Sequence, residues 1–164
     1  MGSWLGAAIV KPPEDATPER WHRFFGSTAN NRAWELAELA AQDIDPREML
    51  DAAHAAAWHW GQVGTELNRM RALMLVALAH AKAGLGATAL ACADEMRTYF
   101  LGQSATPDWE VAFTHLVHAH AASAAGAEDQ HARSYGQAVQ AIAAIVDEED
   151  RAIVLRVFRH VPSP

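Results

Sequence analysis

The sequence predicts an all-α protein of about seven antiparallel helices, and three observations carry this prediction. Hydrophobic residues make up 51% of the 164 residues, with alanine the commonest type. Alanine combines the highest helix propensity with a side chain small enough for helices to approach closely. Signals that start and end helices recur at short intervals along the chain. No segment alternates apolar and polar residues in the way that is typical of a half-buried strand.

A capping residue followed by proline opens the first two predicted helices. Thr17 and Asp45 each offer a side-chain oxygen to free backbone N–H groups, and the proline that follows has no N–H to leave unpaired. Glu48 adds a capping-box residue at the second start. Gly64 and the glycines on either side of Leu85 break the chain before two further helices. The predicted helices cover residues 18 to about 41, 46–63, 66–83 and 87 to about 101.

Similar signals predict three more helices. Thr106 before Pro107 opens the fifth helix, Gly126 separates the fifth from the sixth, and the acidic run 147–150 suits the positive end of a seventh helix. These helices cover about 107–125, about 128–146 and 147 to about 159. The third helix is apolar almost all round and is expected to be central, whereas the sixth carries one apolar stripe and is expected to lie outside.

Composition and charge exclude several classes of protein. The formal net charge is −7 and no run of Lys or Arg is present, which disfavours nucleic-acid binding. The single cysteine, Cys92, allows no disulfide within the chain, as expected of a cytoplasmic protein. The apolar segment 4–10 has no preceding basic region and is too short to cross a bilayer, so no membrane association is expected.

The chain is expected to form one domain over residues 17–160. Lys11 is followed by two prolines that end any helix, so residues 1–16 are interpreted as a strap or a disordered arm. Residues 161–164 form a short tail.

Two glycines, Gly84 and Gly126, lie 42 residues apart, and each closes one predicted helix and opens another. The helices that precede them present residues at equivalent positions. These are Leu73, Val76, Ala77 and His80 in the third helix, and His115, His118, Ala119 and Ala122 in the fifth; five residues after each glycine come Ala89 and His131. This pattern resembles the tetratricopeptide repeat (TPR), whose helix pairs carry small and apolar side chains at these positions. The stretch 54–72 also resembles uncharacterised bacterial TPR-like proteins.

The resemblance implies three stacked helical hairpins in a right-handed arrangement, with the seventh helix capping the last apolar face. It also implies a concave groove lined by the first helix of each hairpin. A mostly apolar groove with a few cations and amides suits a protein segment or a carboxylate-bearing ligand, held without cofactor or catalysis. The groove residues expected to bind it are Asn31, Arg32, Asn68, Arg71, Met74, Phe113 and His120.

The two arginines have an alternative interpretation. Arg32 and Arg71 could pair with Glu35, Glu38 or Glu66 and simply tie neighbouring helices together.

A histidine cluster supports a second hypothesis, a small helical protein that binds a metal or an organic ligand, including a metal-dependent enzyme. His115 and His118 are three residues apart and share a helix face, and the repeat places His131 opposite them. Three imidazoles and a water would form an open site of the catalytic zinc type. No Glu-x-x-His pairing accompanies them.

Tryptophan and histidine are concentrated in the second helix. His54 and His59 lie about 140° apart around the helix and cannot share one metal, so these rings and Trp58 and Trp60 are expected to pack between hairpins. On the first helix, Trp21, Phe24 and Phe25 either close the open end of the stack or form a homodimer contact.

Overall fold

The computed structural model describes residue 14 and residues 17–164. In that part of the chain it contains seven α-helices and no strand, which confirms the all-α class. The predicted arm, 1–16, lies outside the described residues apart from Glu14. No described helix is both long and apolar enough to cross a bilayer. The helices are α1 (Pro18–Ala37), α2 (Pro46–Val63), α3 (Glu66–Lys82), α4 (Gly86–Gly102), α5 (Asp108–Ala124), α6 (Glu128–Ala144) and α7 (Glu148–Phe158).

Most helix boundaries agree with the prediction to within one or two residues, but α1 ends four residues early. The chain leaves α1 at Glu38 and forms a short 3-10 turn at Ala41–Asp43. Nζ of Lys82 donates to the backbone oxygen of Leu39 at 2.9 Å. The early end therefore coincides with a contact from a distant helix, and local sequence signals do not reveal such contacts.

The side-chain caps are confirmed at Thr17 and Asp45 and wrong at Thr106. Oδ1 of Asp45 accepts from the backbone nitrogen of Arg47 at 2.9 Å. Thr106 instead donates its hydroxyl to the carbonyl oxygen of Phe100 at 2.6 Å, and Pro107, which has no capping side chain, is the N-cap residue of α5. The Glu48 carboxylate, predicted to complete a capping box, accepts from Arg32.

The two elbows at Gly84 and Gly126 have the same backbone geometry. Their φ angles are +72° and +70°, in the left-handed region that glycine tolerates best. At each elbow a backbone N–H donates to the helix carbonyl five residues before it. Leu85 donates to His80 at 2.9 Å, and Ala127 donates to Ala122 at 2.9 Å. The predicted equivalence of these elbows is confirmed.

Three hairpins make up most of the domain. α1 packs on α2, α3 on α4 and α5 on α6, and α3 also contacts both α1 and α5. The helices α1, α3 and α5 are called the inner layer below. α3 and α5 are buried over almost their whole length. The predicted one-sided burial of α6 is confirmed, but its buried residues are His131, Ser134, Ala138 and Ile142, whereas Val139 and Val146 of the expected apolar stripe are exposed.

The C-terminal helix connects the last hairpin to the first. α7 packs against α5 and α6 and buries Ile153, Val154 and Val157 in the common core. At its other end, Nε of Arg156 donates to the Glu38 carboxylate at 3.0 Å. The expected cap on the last hairpin therefore also reaches the C-terminal end of α1.

Candidate functional site

The predicted groove is closed where it was expected to be apolar. Met74, Phe113 and His120 are all buried, together with Leu78 and Leu116 beside them. The apolar side chains of α7 belong to the same core as these residues. These three side chains are therefore part of the packed interior, so the prediction that they line an open groove is corrected.

Arg71 already binds a carboxylate, which comes from the chain itself. Its Nε donates to Oε1 of Glu110 at 2.6 Å, and Nη2 donates to Oε2 at 3.1 Å. The Glu110 side chain is 2% exposed and that of Arg71 is 19% exposed. Arg71 was predicted to pair with a ligand carboxylate or with Glu35, Glu38 or Glu66. The observed partner is none of these.

Aromatic rings lie beside this ion pair. The guanidinium of Arg71 lies 5.4 Å from the ring centroid of Trp109, a distance at which cation–π attraction operates. The edge of the Trp34 ring meets Phe113 at 4.9 Å, and Trp109 meets Phe113 at 6.3 Å. Trp34 and Trp109 are both half-buried. We call Trp34, Arg71, Trp109, Glu110 and Phe113 the Trp–Arg cluster; it joins all three inner-layer helices.

The other polar groove residues have structural partners. Nε of Arg32 donates to Glu48 at 2.7 Å and Nη1 donates to Glu35 at 3.1 Å, all on the surface. The pairing alternative is thereby confirmed for Arg32. Asn68 accepts from the backbone nitrogen of Thr65 at 3.0 Å in the capping box of α3. Asn31 is half-buried on α1.

The remaining two acids that were considered for pairing bind other arginines. Glu38 pairs with Arg156 of α7, and Glu66 pairs with Arg69 one turn along α3. Of these two ion pairs, only Glu38–Arg156 joins different parts of the fold, the end of α1 and helix α7, and Arg69–Glu66 lies within α3.

The three histidines of the metal hypothesis do not converge on one point. Both ring nitrogens of His118 are occupied, by Ser134 at 2.8 Å and by Asp94 at 2.9 Å. His131 donates from Nε2 to the carbonyl oxygen of Pro162 at 2.8 Å. Over the described residues, no group of three or more His, Cys, Asp or Glu side chains could hold a metal ion. The predicted three-histidine site is therefore corrected.

Asp94, His118 and Ser134 form a hydrogen-bonded series that sequence inspection did not find. Nε2–H of His118 donates to Asp94, which leaves Nδ1 free to accept the hydroxyl proton of Ser134. The solvent exposure along this series is the reverse of what a hydrolase needs, because a serine nucleophile must be accessible to its substrate. Asp94 is 57% exposed, whereas Ser134 is 2% exposed, and no substrate carbonyl can reach a buried hydroxyl. The series ties α4, α5 and α6 together.

Two buried nitrogen atoms beside this series lack a hydrogen-bond partner among the described residues. They are Nδ1 of His115 and Nε of Arg97. Burial, the charge of Arg97 and the neighbouring His118 together lower the pKa of His115 to about 4. Both atoms are fully covered by protein, so neither can meet a ligand in this packing.

The Trp- and His-rich helix α2 packs mostly as expected. The His54 ring meets His80 edge-on at 5.1 Å, and Nδ1 of His59 lies 2.9 Å from Nδ1 of His22, one donating and one accepting. Trp60 is buried. Trp58 was also expected to pack between hairpins, but it is 64% exposed.

The aromatic residues at the start of α1 stack on one another. Trp21 lies over Phe25 at 5.4 Å and meets Phe24 edge-on at 5.6 Å. Phe25 is 45% exposed. The rings therefore cover part of this end themselves, and a homodimer contact there stays a prediction.

Comparison of the chain with protein-family models, with curated proteins and with solved structures gives no match. Function must therefore be inferred from the side chains.

Proposed function

We propose that this chain is a non-enzymatic, TPR-like helical scaffold that binds a segment of a protein partner at the Trp–Arg cluster. The observation that carries the proposal is that two half-buried indoles, Trp34 and Trp109, both contact the Phe113 ring. Tryptophan and arginine are the residues most enriched at the energetic centres of protein interfaces. The contacts of α3 with α1 and α5 support the stacked-hairpin arrangement.

The cluster favours a partner with an apolar side chain over one with a carboxylate. The bidentate pair with Glu110 already satisfies the Arg71 guanidinium, so an external carboxylate would have to displace a buried one. Such an exchange would leave Glu110 unpaired at a large energetic cost. An aliphatic or aromatic side chain can instead pack against the indole rings without breaking the pair.

Charge and cysteine content support a cytoplasmic protein partner. The net charge of −7 opposes nucleic-acid phosphates, and Cys92 has no second cysteine with which to form a disulfide.

Selection from a displayed library of random peptides tests the proposal. Peptides enriched on the wild-type protein are synthesised and titrated by calorimetry against wild type, Trp34→Ala and Trp109→Ala. We expect each substitution to weaken binding by roughly 30-fold, since a central tryptophan at an interface contributes about 2 kcal/mol or more.

Trp58→Ala is the matched control, because it removes an exposed indole on another helix. It should leave peptide affinity unchanged, and circular dichroism should show all three variants folded. Peptides that bind Trp34→Ala and Trp109→Ala as tightly as wild type, or none enriched at all, would remove the Trp–Arg cluster as the binding surface.

A further inference from the structure

Five basic side chains meet near the C-terminal ends of α1, α3 and α5. They are called the basic cluster and come from α3, α5, α6 and the C-terminal segment. Lys82, His131 and His160 all lie close enough to His120 for their charge to oppose its protonation, and Arg159 acts on Lys82 in the same way. The members are Lys82, His120, His131, Arg159 and His160.

Backbone oxygens balance most of this positive charge. Nη2 of Arg159 donates to the carbonyl oxygen of Glu38 at 3.2 Å, and Lys82 donates to that of Leu39. Cations are favourable there because the carbonyl end of a helix carries partial negative charge. The Glu38 carboxylate also faces this region, but Arg156 occupies it at 3.0 Å. An additional proton would therefore find little compensation.

His120 is the member least able to accept a proton. It is buried, and its Nδ1 has no hydrogen-bond partner among the described residues. Burial first, and then Lys82, His131 and His160, lower its pKa to about 4. The pKa of His160 is also lowered, mainly by burial.

The hydrogen bonds of His160 also depend on its protonation. Its Nε2 lies 3.0 Å from the Glu38 carbonyl oxygen and 3.0 Å from Nε of Arg159. A bare nitrogen accepts from Arg159, whereas a protonated one donates to Glu38 and faces the Arg159 N–H directly. Protonation therefore exchanges an attraction within the C-terminal segment for a repulsion.

We propose that the basic cluster is a proton-operated release for residues 159–164, which acidification separates from the ends of α1, α3 and α5. Helix α7 stays in place up to Phe158, since its buried aliphatic side chains, Val154 and Val157 among them, do not titrate. Release exposes Val161 and the ends of the inner-layer helices beneath it. This release does not depend on the proposed partner site.

Hydrogen exchange across pH tests the release. The amides of Arg159, His160 and Val161 donate to the carbonyl oxygens of Leu155, Val157 and Phe158 in α7, so their exchange reports the opening of the segment. If release returns the His120 pKa from about 4 to 6.5, opening at pH 5 is favoured roughly thirty-fold over opening at pH 8. After correction for the intrinsic exchange rate, we expect a loss of protection of that size at the amides of residues 159–161 and little change in the middle of α3.

His120→Gln removes the titrating ring and should reduce the pH effect on residues 159–164 to less than about three-fold. His115→Gln, a matched change of another buried histidine on α5, should preserve it. If His120→Gln does not fold, His160→Gln takes its place and should reduce the effect in part. Three results would overturn the proposal. They are an equal loss of protection in α3, protection that does not depend on pH, and a full pH dependence that persists in the His120 or His160 variant.

Discussion

Arg71 on α3 and Glu110 on α5 form a two-point ion pair across 39 residues of chain, with N–O distances of 2.6 and 3.1 Å. The pair joins two central helices and places a guanidinium against Trp109. Because Glu110 is almost completely buried, removing one partner of the pair affects the stability of the fold as well as the candidate site.

Arg71→Ala is accordingly expected to destabilise the fold. It leaves a buried carboxylate without a partner, which costs about 3–5 kcal/mol in comparable cases. Urea denaturation at pH 7 measures the loss. Arg71→Met combined with Glu110→Leu removes both charges and should recover most of the stability. A single variant as stable as wild type would show that the pair contributes little.

Glycine substitutions at the elbows should separate two physical effects. Gly84→Ala and Gly126→Ala each force a Cβ into φ near +70°, at about 1–2 kcal/mol apiece, and the two losses should be similar. Gly86→Ala should cost more, because a Cβ there would overlap the backbone of Ala124. Thermal unfolding provides the measurement.

Gly136→Ala is the control for the glycine series, since a Cβ at this helical position meets nothing. It should stabilise α6 by up to about 1 kcal/mol. A larger loss at Gly126 than at Gly84 would contradict the equivalence of the elbows.

Global stability should fall between pH 6.5 and pH 4 through His115. Its pKa is lowered in the folded protein to about 4, mainly by burial. The unfolded chain therefore binds more protons below pH 6.5, and stability present above that pH is lost as pH falls. The loss between pH 7.5 and pH 5 is on the order of 2 kcal/mol. Urea midpoints at the two pH values measure it.

His115→Leu removes the titrating group and its unpaired Nδ1. Its stability should depend less on pH than that of wild type over the same range, whereas an identical pH dependence would assign the effect to other groups.

Ser134 should not react as a hydrolase nucleophile. Its hydroxyl is buried and donates to Nδ1 of His118, so fluorophosphonate probes should not label it. Intact-protein mass spectrometry checks this. A covalent adduct lost in Ser134→Ala would show that the buried series opens to reagents. Ser134→Ala should also cost about 1–3 kcal/mol by leaving an imidazole nitrogen unpaired.

Val154→Ala should destabilise the protein by about 1–3 kcal/mol, because it empties part of the core between α7 and the last hairpin. Leu155→Ala changes the adjacent, 45% exposed residue and should cost less than about 0.5 kcal/mol. Equal effects in chemical denaturation would show that α7 does not pack as described.

Local chemistry was sufficient to predict the helices and elbows. The capping oxygens of Thr17 and Asp45 and the left-handed glycines act within a few residues of themselves, so sequence signals reveal them. The 42-residue spacing likewise predicted two equivalent hairpin turns.

The candidate site could not be predicted in the same way, because it depends on contacts across the fold. The sequence did not identify Glu110 as the partner of Arg71. It also did not identify Trp34 and Trp109 as part of the same cluster. The wrong prediction of an open groove has the same cause. Periodicity identifies Met74 and Phe113 as apolar positions, but it does not indicate which side chains cover them. A glutamate within the apolar α5 was the available signal, because buried acids are rarely left without a cation.

The junction of Arg156 with Glu38 has a consequence for how the molecule assembles. In an open array of repeats each unit touches only its neighbours, so the ends can unravel independently. Here Glu38 and Arg156, which are 118 residues apart in sequence, must come into contact before the native set of contacts is complete. Such a contact raises the mean sequence separation of native pairs and slows the search for the folded state.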